Sequence, residues 1–151
     1  MKRPGSPSDY RKDYSNKRMT EDTAGNKSWK WNHYFGQLNP AIRGQIEMDS
    51  VSLFSTTIDK DADKITDMIL NYIPSFANVC DATACTGGNT MSFAKSFERV
   101  TSIEMDPGRC QMLANNVKLV GLGDRVQTVN DDFMHFQKNM PYFDCIFFDP
   151  P

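Results

Sequence analysis

An α/β fold with a doubly wound parallel sheet is predicted for this chain by three observations. From residue 78 onward, short apolar runs alternate with helical patterns in the order β-α-β-α-β-α-β. The four predicted strands lead into the carboxylates Asp81, Glu104, Asp132 and Asp149. The first strand also enters a loop, Asp81-Ala-Thr-Ala-Cys-Thr-Gly-Gly-Asn-Thr90, whose paired glycines precede a polar helix start. Right-handed crossovers bring all four strand ends to one edge, the edge at which α/β sheets bind ligands.

A chain of 151 residues is about one domain's worth and long enough to bury one core. Its composition, 39% hydrophobic and 24% charged, is that of an ordinary soluble protein. No apolar run nears the roughly 18 residues a membrane helix needs, and the N-terminus lacks a signal-peptide pattern. Cys80, Cys85, Cys110 and Cys145 form no Cys-x-x-Cys pair, so reduced thiols in an intracellular compartment are expected, without metal.

Charge is unevenly spread. Residues 1–43 hold nine Lys and Arg against four Asp and Glu, a net +5, and residues 44–151 carry a net −7. The expected organisation is a basic, solvated arm over residues 1–27, a substrate-side segment over 28–74, and a core over 75–151. The arm's charge suits an RNA backbone, and its Ser, Asp, Lys, Asn and Pro content suits a disordered tail.

Order is expected from Ser28. The segment Trp29-Lys-Trp-Asn-His-Tyr-Phe35 sets four aromatics among polar residues, which fits docking on a core or stacking on bases. Ile58, Ala62, Ile65, Ile69 and Tyr72 then recur every three or four residues, marking an amphipathic helix with Thr57 as its N-cap and Pro74 beyond its end.

The core elements follow in order. Asn78 to Ala82 is an apolar strand, Asn89 to Phe97 a helix, and Val100 to Ile103 a second strand. Pro107, a favoured first-turn residue, opens a helix that stops at Gly121-Leu-Gly123. Arg125 to Val129 is a third strand, Phe133 to Asn139 a short helix, and Tyr142 to Phe148 a fourth strand.

The acidic edge constrains the ligand. Gly87-Gly88 lacks the G-x-G-x-x-G spacing of a dinucleotide loop, and an acidic site repels a bare polyphosphate. S-adenosylmethionine meets the requirements. Its cationic end suits Asp81, and its carboxylate suits the amides around Gly87, Gly88 and the helix start at Asn89 and Thr90. Its ribose diol suits Glu104 and its adenine amine Asp132, with Phe133 over the adenine face. Thr83, Ala84 and Met105 complete the expected cofactor set.

These residues carry a resemblance. Asp81, Gly87-Gly88-Asn89-Thr90 and Phe93-Ala94 resemble the strand-Asp, Gly-Gly-Asn-Thr and Phe-Ala pattern of the RNA cap guanine-N2 methyltransferases, the trimethylguanosine synthases. Glu104-Met105-Asp106-Pro107, Asn115-Asn116 with Gly121, and Asp132-Phe133 resemble its further segments, as do Ile46 to Asp49 and Phe54 to Thr57 upstream. The resemblance implies a class I methyltransferase with a Rossmann-like fold, covering residues 44–151. Two departures stand out: position 85 is Cys where the family usually has Gly, and its Ser-Pro-Pro-Trp motif reads Asp149-Pro150-Pro151 here. Asp-Pro-Pro is commoner in enzymes that methylate guanine N2 or adenine amines of other nucleic acids.

The Asp-Pro-Pro corner has a chemical rationale of its own. An exocyclic amine is a poor nucleophile, and hydrogen bonds to the Asp149 carboxylate and a proline carbonyl would orient it and relieve its developing positive charge. The rigid corner of Pro150 and Pro151 directs carbonyls into the site. Capped RNA is the expected partner, with Trp29, Lys30, Trp31, Tyr34 and Arg43 as candidates to stack on its base and hold its phosphates. A nuclear, cytoplasmic or viral setting is compatible with this. A fold of this class needs strands beyond the fourth, so the chain is expected to be part of a longer one.

Overall fold

In the computed structural model of the chain, residues 17–150 are described. Most of the expected arm, residues 1–16, and the candidate catalytic residue Pro151 lie outside them. Residues 17–27 join the ordered body: Met19 and Met48 pair antiparallel, each amide donating to the other's carbonyl at 2.7 and 2.9 Å. Residues ahead of the expected start at Ser28 are thus held in the body, by this pairing and by two 3-10 turns at Glu21–Thr23 and Gly25–Lys27.

Three short helices follow, α1 (Trp29–Tyr34), α2 (Pro40–Arg43) and α3 (Ser52–Ser55). The amphipathic period then folds as α4 (Asp59–Leu70), within the predicted bounds. Thr57 does not cap it. Its hydroxyl accepts instead from Asn89 Nδ2 at 2.9 Å, so a tertiary partner takes the side chain that local pattern assigns to the helix.

From residue 78 the alternation appears as β1 (Asn78–Asp81), α5 (Gly88–Ser96), β2 (Arg99–Ile103), α6 (Pro107–Leu119), β3 (Val126–Val129), α7 (Phe133–Phe136) and β4 (Cys145–Phe147). Pro107 occupies the first turn of α6, and Asp106 caps it by accepting from the Arg109 amide at 2.8 Å. Gly121 takes a φ of +76° just past the helix end, as a left-handed stop requires. Strand β4 is shorter than the predicted Tyr142–Phe148, because only Cys145 to Phe147 pair with β1.

All strands run parallel in the order β3-β2-β1-β4. The chain moves outward from β1 through β2 to β3, then returns to the other side of β1. That reversal opens a crevice at the carboxyl ends of β1 and β4.

Strand alternation separates the two faces. Val79 and Val100 point to one face, packing with Phe93, Ala94 and Phe97 of α5 and its end and with Ile65 and Ile69 of α4. Cys80 and Ile103 point to the other, against Phe133 and Phe136. Burying side chains such as Phe93 or Val79 contributes about 1.5–3 kcal/mol each. The substrate-side segment expected over 28–74 belongs to the same core: Trp31, Tyr34, Phe35, Ile46, Met48 and Leu53 cluster with Met91, Leu113 and Val117.

Candidate functional site

The loops leaving all four strands line one cavity of about 540 Å³. Ala82 and Thr83 follow β1, Glu104 and Met105 follow β2, Asp132 and Phe133 follow β3, and Asp149 and Pro150 follow β4. Val51, Phe54 and Ser55 close the cavity from the α3 side. A volume of this size suits a nucleoside-sized ligand. Because the sheet order is β3-β2-β1-β4, the polar groups run across the edge as Asp132, Glu104, Thr83 and Asp149. Four carboxylates, counting Asp131, face one guanidinium, Arg109, which favours a cationic guest.

Glu104 is held from three directions. Its Oε2 accepts from the Cys85 amide at 3.0 Å, and its Oε1 from the Asp106 amide at 2.8 Å and Arg109 Nε at 3.3 Å. Two loops thus aim one carboxylate. Asp132 has a double role, lining the cavity while its Oδ1 caps α7 by accepting from the Met134 amide at 2.8 Å. Phe133 lies 5.5 Å from Phe148, ring centre to ring centre, and together they form an apolar wall. The Asp149 amide donates to Thr83 Oγ1 at 3.1 Å, tying the β4 exit to the β1 exit.

The methionine-side candidates sit deeper. Asp81 is 1% exposed, its Oδ2 accepts from Thr90 Oγ1 at 2.7 Å, and Thr90 meets Ser102 Oγ at 2.9 Å. Burial pushes Asp81 up to about 6, with Glu104 and Asp149 adding to the rise and hydrogen bonds from Thr90 and Thr83 opposing it. Asp81 and Thr90 lie beneath the cavity rather than among its lining groups. Ala84 is likewise buried, with its amide given to the Ile103 carbonyl at 2.9 Å.

The glycine loop is shaped by the segment that covers it. Gly87 has a φ of +105° and stands at the N-cap of α5. Gly88 has a different reason to be glycine: an added Cβ would stand 2.9 Å from the Thr57 carbonyl oxygen and 3.0 Å from Thr56 Cγ2. Asn89 turns the same way, donating to Thr57 while its buried Oδ1 has no partner among the described residues. Asn116 of α6 completes this clamp. Its Oδ1 accepts from the Glu47 amide at 2.8 Å, and its Nδ2 donates to the Glu47 and Thr86 carbonyls at 2.9 and 3.0 Å.

The aromatic candidates divide. Trp31 and Tyr34 are core residues: Trp31 is fully buried with Nε1 donating to the Ile46 carbonyl at 2.7 Å, and Tyr34 donates to the Leu53 carbonyl at 2.7 Å. Neither presents a face to a base, which corrects their assignment to substrate. Arg43 is paired with Glu21 at 3.4 Å and donates to Asn32 at 3.0 Å, away from the cavity. Trp29 is exposed, and Lys30 donates to the Leu53 carbonyl at 2.6 Å while its ammonium lies 3.9 Å from the centre of the Phe54 ring. Phe54 lines the cavity, so Lys30 touches one of its walls, whereas Trp29 lines a separate surface groove with Asn32, His33 and Lys64.

Phe148, Phe54 and Arg109 line the site without having been read from sequence. Phe148 carried a signal, as the last residue of the predicted fourth strand before Asp149. Arg109 carried none, since its carboxylate partners lie 5 and 60 positions away. Among the described residues no three His, Cys, Asp or Glu group to hold a metal ion, and no helix is long and apolar enough to cross a membrane. The four cysteines are free, and burial pushes the Cys80 and Cys85 thiols up to about 12, away from nucleophilic thiolate.

A family profile described as RNA cap guanine-N2 methyltransferase matches residues 76–151. A trimethylguanosine synthase of Schizosaccharomyces pombe is 30% identical, across 80% of this chain and 52% of its own length. An uncharacterized protein of Acanthamoeba polyphaga mimivirus is 29% identical, across 71% of this chain and 51% of its own length. The chain spans about half the length of these relatives. Among solved structures, an O-methyltransferase from Bacillus cereus in complex with SAH superposes with a TM-score of 0.57 at 16% identity, covering 64% of this chain and 47% of that one. A complex of aTrm5 and tRNALeu superposes with a TM-score of 0.54 at 14% identity, covering 67% and 28%. These two likenesses establish the Rossmann-like methyltransferase fold.

Proposed function

Given that the chain belongs to the RNA cap guanine-N2 methyltransferase family, we propose that it methylates the exocyclic N2 amine of a guanine with S-adenosylmethionine, the 7-methylguanosine cap of RNA being the acceptor. The observation that carries this reading is the convergence of all four strand exits on one acidic cavity. The residues fit the cofactor. Glu104 offers aimed acceptor oxygens for a ribose diol, Asp132 and Phe133 suit an adenine, and Asp81 supplies negative charge under the end that would hold the ammonium.

When bound, the cofactor supplies an electrophilic methyl group. The chain's own contribution is positioning and charge. Asp149 stands at the β4 end of the cavity with its amide held by Thr83, leaving its carboxylate to accept a hydrogen bond from the acceptor amine and to stabilise the positive charge that develops there. The Pro150 carbonyl is a second acceptor, with φ fixed by its ring. Holding two reactants in line is worth about 7–11 kcal/mol in favourable cases, so a site with no activated nucleophile of its own is sufficient. Lys30, against the Phe54 ring, and the exposed Trp29 next to it in sequence suit the phosphates and base of an incoming RNA.

The Asp149-Pro150 corner, in place of Ser-Pro, favours a second acceptor class, the amine of an rRNA guanine or adenine. Labelled methyl transfer to a capped dinucleotide and to an rRNA fragment distinguishes them. Methylation of the cap at the guanine N2 is expected, and methylation of the rRNA alone would overturn the cap assignment. If neither accepts a methyl group while the cofactor binds, the protein is a binding module that keeps the fold.

A further inference from the structure

Arg109 links two buried acids that come from different parts of the chain. Its Nη1 lies 3.4 Å from Asp49 Oδ2 and its Nε 3.3 Å from Glu104 Oε1, with only 16% of the side chain exposed. Asp49 is itself fixed. It is fully buried, and its Oδ1 accepts from the Val51 amide at 3.1 Å and from the Ser52 amide and hydroxyl at 2.8 Å, anchoring the start of α3. Burial alone disfavours the Arg109 charge, yet Glu104, Asp106 and Asp49 more than offset it and raise its pKa. The guanidinium is therefore a permanent cation at the cavity wall.

We propose that Arg109 is a positioning residue for ribose recognition. It holds Glu104 through Oε1, which the Asp106 amide also occupies, so that Oε2 keeps acceptor capacity for a ribose hydroxyl, and Asp49 tethers it to the covering segment. The proposal rests on the S-adenosylmethionine reading of the cavity. Its physical basis is geometric: two amides and one guanidinium occupy Glu104 on its protein side, so a diol meets a carboxylate that does not need to reorganise. A rigid guanidinium fork fixes both acids at once, which a flexible ammonium does less well. Glu104 is thereby coupled to α3, whose Phe54 and Ser55 close the same cavity.

The test is calorimetric titration of the protein and its Arg109→Gln and Arg109→Lys variants with S-adenosylhomocysteine and with its 2′-deoxy analogue, each variant's folding being checked by thermal melting. The wild-type protein is expected to prefer the ribose form by roughly tenfold or more, the worth of a hydrogen bond to a charged group. In Arg109→Gln that preference should fall to about twofold to threefold with little change in affinity for the deoxy analogue, and Arg109→Lys should recover part of it. Equal weakening of both ligands in Arg109→Gln, or an unchanged preference, would overturn the proposal and leave Arg109 a structural ion pair. A wild-type protein that binds neither ligand would instead overturn the cofactor reading itself, and the proposal with it.

Discussion

The two ends of the site are built differently. At the glycine-loop end, Asp81, Thr90 and Ser102 are buried and bonded to one another, and the segment 46–57 presses on the loop through Gly88, Asn89 and Asn116. At the β4 end, Cys145–Phe147 leads to a half-exposed Phe148 and to Asp149, whose amide donates to Thr83 Oγ1. The first end is preformed and sensitive to stability. The second carries Asp149 and Pro150, so substitutions there are expected to fall on chemistry rather than on stability.

Substitutions can break this contrast, and the largest effect should fall on the covering segment. Trp31→Ala removes a fully buried aromatic and should destabilise the protein by about 3–5 kcal/mol in urea unfolding. RNA affinity of the folded fraction should be unchanged, and a specific loss would restore Trp31 as a base-stacking residue. Asp149→Ala should leave S-adenosylhomocysteine affinity nearly intact while lowering turnover by roughly 10²–10⁴-fold, the range for a positioned proton acceptor. Loss of both together would erase the difference between the two ends.

Gly88→Ala should cost about 1–3 kcal/mol, because the new Cβ meets backbone atoms of Thr57 that cannot move independently. Cofactor affinity should fall with it, as the clamp and the loop shift together.

Asp81 gives a pH test with a definite sign. Its carboxyl is raised from 3.8 to about 6, so the native state holds a proton that the unfolded chain releases. Stability from this group is therefore greatest at or below pH 4 and is lost as pH rises through 6, by about 2–3 kcal/mol in total. Comparing urea unfolding of wild type and Asp81→Asn between pH 4 and 7 isolates the slope, which should vanish in the variant. A cationic ligand reverses the sign, so cofactor affinity should increase over the same window.

The smallest effect belongs at the exposed Trp29. Trp29→Ala should change stability by less than about 0.5 kcal/mol, since the ring is exposed, while weakening RNA binding.

Much of this contrast was legible in the sequence, but unevenly. The glycine loop, the Pro107 start and the Gly121 stop are local features, fixed by dihedral preference and capping, and they fold where predicted. Glu104, Asp132 and Asp149 converge because parallel topology dictates it. Trp31 and Tyr34 were ambiguous because their burial is supplied by Ile46, Met48 and Leu53, well along the chain. Thr57 was misassigned for the same reason, its partner Asn89 lying 32 residues away. Side chains whose roles depend on distant contacts, Arg109 and Asn116 above all, leave no periodic trace.

The central claim is that this cavity is an S-adenosylmethionine site with its ribose end at Glu104. Calorimetric titration of S-adenosylhomocysteine into the wild-type protein and the Glu104→Ala variant tests it most directly. One molecule should bind per chain, and the variant should lose affinity by roughly 10–150-fold, the worth of hydrogen bonds to a charged group. Absence of binding to the folded wild-type protein, or equal affinity in the variant, would contradict the account.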